Sequence, residues 1–175
     1  MKLRYLWAVA ALFAIALVRM SDTVRVTWIY NATPSVPVGW YHVDYTQPIA
    51  VGQLVAWKPP AMWDDWLQQR GYIAKKMVLI KAVAAAGGQQ ICVDSHGDVF
   101  MQQRIVARTR SYDSQGRSMP RLPEGCRQLQ AGEYFLLGRH PSSIDSRYMG
   151  TAHASELVGV VRPLKKTGPA SKSHQ

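Results

Sequence analysis

The sequence predicts a mainly β domain, an antiparallel sheet or partly closed barrel with one short helix, preceded by a single N-terminal transmembrane helix. Three observations lead to this prediction. Short segments rich in β-branched and aromatic residues recur between turn residues along most of the chain. Only one segment after the amino terminus has the apolar spacing of a helix. One unbroken apolar run lies near the amino terminus.

The apolar run covers residues 6–18, with basic residues on both sides. A helix of thirteen residues spans about 20 Å, against roughly 30 Å of hydrocarbon, so Arg4 and Arg19 would extend its reach by snorkelling. A cleaved signal peptide is the alternative, because residues 14–16 have the small-x-small form. That site lies inside the apolar run, so we expect residues 1–20 to be an uncleaved signal anchor.

A long domain that follows a signal anchor crosses the membrane readily. We therefore expect a single-pass protein of the inner (cytoplasmic) membrane with residues 21–164 as a periplasmic domain, which is long enough for one core. The basic residues 165–175 are expected to form a disordered tail.

The formal net charge of +10 suggests a polyanionic partner. Basic residues are scattered among the predicted strands instead of forming one stripe, so we expect membrane lipids and not nucleic acid to be that partner. The oligomeric state is left open by the sequence.

The two cysteines, Cys92 and Cys126, fit a single disulfide in an oxidising compartment, and two buried thiols are the alternative. The sequence has no CxxC or HExxH, and its five histidines are dispersed. No metal or cofactor is therefore predicted.

The predicted strands are short segments with partial alternation of apolar and polar residues. They cover residues 24–30, 39–45, 51–57, 77–86, 91–94, 99–101, 104–107, 133–138 and 156–161. The helix is predicted to begin near Pro60 and to stop before Gly71. Its Trp63 and Trp66 indicate either core packing or contact with the membrane interface. Residues 109–130 are interpreted as a polar excursion, and residues 139–150 as a polar loop rich in Ser, Asp and Arg.

The segment 31–39 holds Ser35 between Pro34 and Pro37. Each proline fixes its own φ and favours extended backbone in the preceding residue. The segment is therefore predicted to be a stiff, extended ledge that presents the Ser35 hydroxyl. A proline-rich turn with an incidental serine is the alternative.

Lys81 stands inside the apolar run 77–86. A lysine in a strand is ordinarily exposed, but burial would lower its pKa. An unshifted lysine is less than ~0.1% neutral at pH 7, so a useful base needs a pKa drop of about three units, which costs roughly 4 kcal/mol. Ser35 and Lys81 could then form a serine–lysine dyad, in which neutral Lys81 takes the proton of Ser35. A triad of Ser35, His140 and Asp145 could also be assembled, but its spacing is not distinctive. No GxSxG or SxxK motif supports other hydrolases.

Three features together resemble the signal peptidase I family in order and spacing. They are Thr-x-Ser-x-Pro-x-Gly at 33–39, Lys81 in its apolar strand, and Ser-x-Asp-Ser-Arg-Tyr-x-Gly at 143–150. The short, singly anchored form is most similar to the conjugative transfer peptidases of the TraF type. This resemblance implies a signal-peptidase-like fold, with Ser35 as nucleophile and Lys81 as general base. It also implies that Thr33 assists the Ser35 N–H in the oxyanion hole.

The same resemblance implies roles for the 143–150 block. Ser143 would hold the lysine, and Asp145 would pair with Arg147 to shape the loop. In the conjugative branch the aspartate is also catalytically important. The chain departs from the family pattern at Ala82, where arginine is frequent, at 86–89, where Pro-Gly-Asp is frequent, and at 138–140, where Gly-Asp-Asn is usual.

The implied function is that of a membrane-anchored serine endopeptidase that cleaves the signal or leader peptide of exported precursors. For this branch the expected partner is a pilin precursor, which some members cyclise. The alternatives are a non-catalytic, membrane-tethered scaffold of a secretion or conjugation apparatus and a self-cleaving protease of the repressor type.

Overall fold

The computed structural model describes residues 27–74 and 77–164. The predicted anchor at 1–20 and the predicted tail at 165–175 lie outside the described residues, as does the start of the first predicted strand. Among the described residues, no helix has the length and apolar character needed to cross a membrane.

The described residues form two antiparallel sheets, and the larger one is an open, curled half-barrel. The strands are β1 Trp28–Asn31, β2 Gly39–Asp44, β3 Leu54–Trp57, β4 Leu79–Ala86, β5 Gln90–Val93, β6 Val99–Met101, β7 Arg104–Ala107, β8 Gly125–Gln128, β9 Glu133–Leu137, β10 Ala152–His153 and β11 Leu157–Pro163. The seven-stranded sheet has the order β1-β2-β11-β3-β4-β9-β10, and the four-stranded sheet has the order β7-β6-β5-β8.

Strand β4 lies between β3 and β9, and side chains cover both of its faces. Leu79 and Val83 point to one face and pack in a cluster with Leu67 of the helix, whereas Ile80 packs in the cluster on the other face. Side chains alternate along a strand, so Lys81 shares the face of Leu79 and Val83. The fold therefore places this lysine among apolar side chains.

The predicted helix is α1, Ala61–Gln69, which begins directly after Pro60. Trp63 and Trp66 are partly buried against the cluster that contains Leu67, and their rings meet edge to face at 5.6 Å. Both tryptophans thus take part in core packing, the first of the two interpretations of this helix. The helix covers the face of the sheet that carries Lys81.

Three short elements lie where the sequence predicts irregular chain. Strand β8 falls within the polar excursion 109–130, helix α2 (Ser146–Met149) within the polar loop 139–150, and β10 directly after that loop. All four residues of β8 are exposed, so no apolar alternation marks the strand. Its pairing with β5 places Cys92 opposite Cys126, and a disulfide joins the two residues.

Candidate active site

Ser35 lies in the turn between β1 and β2, directly before Val36, whose side chain is buried in the core. The side-chain amide of Asn31 donates hydrogen bonds to the carbonyls of Thr33, Val36 and Pro37, at 2.7, 3.0 and 3.1 Å. These bonds close the segment into a turn, so the prediction of an extended ledge is wrong. The prolines restrict φ but leave ψ free to follow the Asn31 amide.

The Ser35 side chain is only 6% exposed, and its hydroxyl lies 3.1 Å from that of Thr33. Thr33 Oγ1 donates its proton to Asn31 Oδ1, at 3.0 Å. A hydroxyl carries a single proton, so Ser35 must be the donor in its bond with Thr33. In this state the Ser35 proton is directed at Thr33.

Lys81 is 3% exposed, and its Nζ donates a hydrogen bond to Ser143 Oγ at 2.8 Å. Burial lowers the pKa of Lys81 to about 8, although the charge of Asp145 acts in the opposite direction. Desolvation penalises the ammonium more than the neutral amine. At pH 7 roughly one molecule in ten then carries a neutral amine, about 300-fold more than for an unshifted lysine.

Ser35, Lys81 and Ser143 line one cavity of about 170 Å³. The other lining residues are Thr33, Pro34, Leu67, Tyr72, Ile73, Leu79, His140, Ser142 and Ile144, and most of them are apolar or weakly polar. Within the described residues, the hydroxyl of Ser35 is bonded to Thr33 and the amine of Lys81 to Ser143, and no hydrogen bond joins Ser35 to Lys81. The Ser35 hydroxyl and the Lys81 amine therefore line the same cavity, but each is hydrogen-bonded to a different residue.

Asp145 lies behind the cavity and is completely buried. Its Oδ1 accepts from Arg147 Nε at 2.8 Å, and its Oδ2 accepts from Arg147 Nη2 at 3.0 Å and from the Gly138 N–H at 2.8 Å. The carboxylate is thus occupied by loop groups and does not reach the cavity. This geometry gives Asp145 a positioning role in the loop, and the catalytic importance that the family resemblance implies for it stays a prediction.

The alternative triad is not formed. Asp145 is bonded to Arg147 and Gly138, and His140 is exposed, with its Nδ1 accepting from the Ser142 N–H at 3.2 Å. No hydrogen bond runs from Ser35 through His140 to Asp145 within the described residues.

Gly138 is the point at which the loop after β9 touches the serine turn. A Cβ on Gly138 would lie 2.1 Å from Ser143 Oγ and 3.2 Å from the Cβ of Ser35. The next residue, Arg139, donates its N–H to the Ser35 carbonyl at 2.9 Å. Only a residue without a side chain therefore fits between these two serines.

Gly138 and Asn31 were not among the predicted site residues. Asn31 stands three residues before Pro34, and nothing in the local sequence reveals that its side-chain amide donates hydrogen bonds to three carbonyls. Gly138 closes a buried strand, a position where glycine ordinarily serves a turn. Its real constraint, contact with serines from two distant segments, becomes visible only in three dimensions.

Residues 2–164 match the sequence pattern of the family described as signal peptidase, peptidase S26. The chain therefore belongs to this family of signal peptidases. Within the family it is TraF-like. It is 32% identical over 143 residues to the "Conjugal transfer protein TraF" of Agrobacterium tumefaciens, covering 77% of this chain and 80% of that protein. It is also 29% identical over 145 residues to a "Plasmid transfer protein TraF" of Escherichia coli, with the same coverage.

Among solved structures, the chain is similar to the crystal structure of a signal peptidase I from Enterococcus faecalis V583. The matched region covers 67% of this chain and 98% of the Enterococcus chain. The sequence identity is 16% and the TM-score is 0.38.

Replacement of Lys81 by methionine should stabilise the protein at pH 7. Burial lowers the pKa of Lys81 from 10.5 to about 8, so between these values the unfolded chain binds a proton that the folded protein lacks. The free energy of unfolding of the wild type therefore rises with pH across this window, by about 3 kcal/mol from this group. Below pH 8, the free energy of unfolding of Lys81→Met should exceed that of the wild type by a similar amount. This difference should disappear by pH 10.5. Denaturant unfolding from pH 7 to 10.5 measures this difference, and parallel curves for the two proteins would contradict the assignment.

Gly138→Ala should destabilise the protein by about 1–3 kcal/mol, because the added methyl group has to displace Ser143 and the serine turn. Thermal unfolding measures the loss. Adding Ser143→Gly removes both atoms that crowd the new methyl group most closely, so the double variant should lose less than the sum of the two single variants. Strictly additive losses would show that the contact across Gly138 is not tight.

Proposed function

We propose that this chain is a membrane-anchored serine endopeptidase that removes the signal or leader peptide of an exported precursor protein. The observation that carries the proposal is the shared cavity, in which the Ser35 hydroxyl and the buried amine of Lys81 face the same space. Membership of the signal peptidase family agrees with this chemistry.

In the proposed reaction, neutral Lys81 accepts the Ser35 proton while Ser35 Oγ attacks the scissile carbonyl. The C–N bond breaks, Lys81 returns the proton to the leaving amine, and Ser35 holds the acyl group as an ester. Water, deprotonated by Lys81, then attacks the ester carbonyl, the bond between the acyl carbon and Ser35 Oγ breaks, and Lys81 returns the proton to Ser35 Oγ. The Ser35 proton has to turn from Thr33 to Lys81 before the first step, which fits a hydroxyl that rotates freely about one bond. The hydrogen bond that Lys81 Nζ donates to Ser143 Oγ keeps the amine in place.

Two donors are available for the developing oxyanion. In the described part of the chain, no group accepts a hydrogen bond from the Ser35 N–H, which leaves this donor free. Once Ser35 has lost its proton, the hydroxyl of Thr33 can turn from Asn31 towards the reacting centre. Donors aimed at a developing negative charge in a dry site are worth several kcal/mol.

Membrane tethering would hold this site at the depth where a precursor leaves the bilayer. The side chains of Trp28, Tyr30 and Trp40 are about half exposed on β1 and β2, next to the serine turn. Trp and Tyr favour the membrane interface, and β1 is the first described element after the predicted anchor. The disulfide between Cys92 and Cys126 suits an oxidising compartment such as the periplasm.

The named relatives act in conjugal or plasmid transfer by their descriptions, which makes a precursor of a conjugation apparatus, such as a pilin precursor, the proposed substrate. An extended peptide could pair with a free strand edge, and small side chains would fit the cavity beside Ser35. An ester on Ser35 can be resolved either by water or by the amino terminus of the same precursor, and the second route gives a cyclic product.

A non-catalytic scaffold explains the observations less well. Keeping an ammonium group out of water at the position of Lys81 costs about 3 kcal/mol, and Ser143 and the loop behind it are arranged around that amine. A scaffold gains nothing from a buried lysine with a lowered pKa, whereas a general base requires one.

Ser35→Ala and Lys81→Met should each reduce precursor processing by about 10³-fold or more, with unchanged circular dichroism. The double variant should be no less active than the worse single variant, because the two residues act as one unit. The wild-type kcat/KM should rise with pH up to about 8, the pKa of the Lys81 amine. Ser95→Ala and Lys58→Met, which replace exposed residues of the same types, are the matched controls. Normal processing by either site variant would favour the scaffold.

A further inference from the structure

A second cleft, of about 650 Å³, opens beside the candidate active site. Its walls come from the end of β7 and the chain after it and from the end of β9 and the loop after it, together with Ala82 of β4. Four arginines and one histidine line it, and no lining residue is acidic: Ala82, Val106, Ala107, Arg108, Thr109, Arg110, Leu137, Gly138, Arg139, His140, Pro141 and Arg147.

The positive charge of this cleft is only partly neutralised. Arg147 is paired with Asp145 at 2.8 Å, and Arg108 is paired with Asp98 at 2.9 Å. Arg110 and Arg139 are exposed and form no ion pair with any residue that the structure describes. A concave surface with an excess of one sign of charge concentrates ligands of the opposite sign.

The cleft adjoins the cavity that holds Ser35. Arg139 donates its backbone N–H to the Ser35 carbonyl, His140 lines both the cleft and the cavity, and Gly138 separates Ser35 from the cleft without a side chain. An extended peptide advances about 3.3 Å per residue. A peptide bound across Ser35 therefore brings residues close to the scissile bond within reach of Arg139.

We propose that this cleft is a substrate subsite for a carboxylate near the scissile bond, with Arg139 as the main specificity-determining residue; the inference rests on the proposed peptidase function. The carboxylate belongs either to an Asp or Glu side chain or to the free end of the precursor chain. The guanidinium fork matches a carboxylate with two parallel hydrogen bonds, and an arginine without an internal partner is free to make them.

The test uses the full-length protein in neutral detergent micelles and fluorogenic decapeptides with alanine on both sides of the cleaved bond. One set carries Glu or Gln at a single position within three residues of the bond, on either side, and ends in an amide. A second set has no acidic side chain and ends in a free carboxylate or an amide. We expect one position, or the free chain end, to raise kcat/KM by about tenfold over its neutral counterpart. The first set reports a side chain and the second a chain end.

In Arg139→Gln, the ratio of kcat/KM for the acidic peptide to that for its neutral counterpart should fall close to one. Arg139→Glu should favour Lys over Glu at the same position. Arg104→Gln replaces an exposed arginine of β7 that does not line the cleft, and it should keep the wild-type ratio. A loss of preference in Arg139→Gln alone could follow from a shifted loop, but the reversal in Arg139→Glu requires direct charge recognition. A ratio that is the same in the wild type and in Arg139→Glu overturns the proposal.

Binding of the same labelled peptides to Ser35→Ala, measured by fluorescence anisotropy, separates this inference from the proposed function. Equal binding of acidic and neutral peptides overturns the subsite, whether or not the wild type cleaves them. Cleavage without a preference for carboxylates keeps the peptidase and removes the subsite. A preference in binding that depends on Arg139, in a protein that cleaves no peptide, keeps the subsite and contradicts the peptidase.

Discussion

The burial of one amine is the constraint on which the rest of this structure depends. Lys81 lies in β4, an interior strand of a sheet that is covered on both faces, and its side chain is only 3% exposed. The loss of water lowers the pKa of Lys81 to about 8. The only direct polar contact of its amine in the described chain is with Ser143, so the surrounding loop has to be fixed accurately.

That accuracy comes from a second buried group behind the cavity. Asp145 and Arg147 bind each other, and together they hold the backbone of Gly138. Gly138 in turn contacts both Ser143 and Ser35. Removing one member of such a pair leaves an uncompensated buried charge, which costs about 3–5 kcal/mol. The loop that positions the amine and the turn that carries the hydroxyl are thus joined through one glycine, and the pair supports both without touching the cavity.

Much of the fold follows from the sequence, because alternation and turn residues mark most of the strands and Pro60 marks the helix. Strand β8 could not be predicted in this way, since its exposed residues pair with β5 through backbone groups and a disulfide.

At the site, motif order identified the residues around the cavity, and burial of Lys81 followed from its apolar neighbours. The turn at Ser35 was predicted as extended because its shape is set by the Asn31 side chain and not by the two prolines. The role of Gly138 and the second cleft, which Arg139 lines, depend on contacts between segments far apart in the chain, which no local pattern encodes.

The pKa of Lys81 in the folded, full-length protein is the measurement that tests this account most directly. The chain can be labelled with ¹³C at the lysine Cε, and the Lys81 resonance can be assigned by its absence in Lys81→Met and followed by NMR from pH 6 to 11. The account predicts a titration midpoint at about 8, well separated from those of the exposed lysines. A midpoint near the ordinary lysine value of 10.5 would contradict it, because a fully charged amine at neutral pH could not take the proton of Ser35.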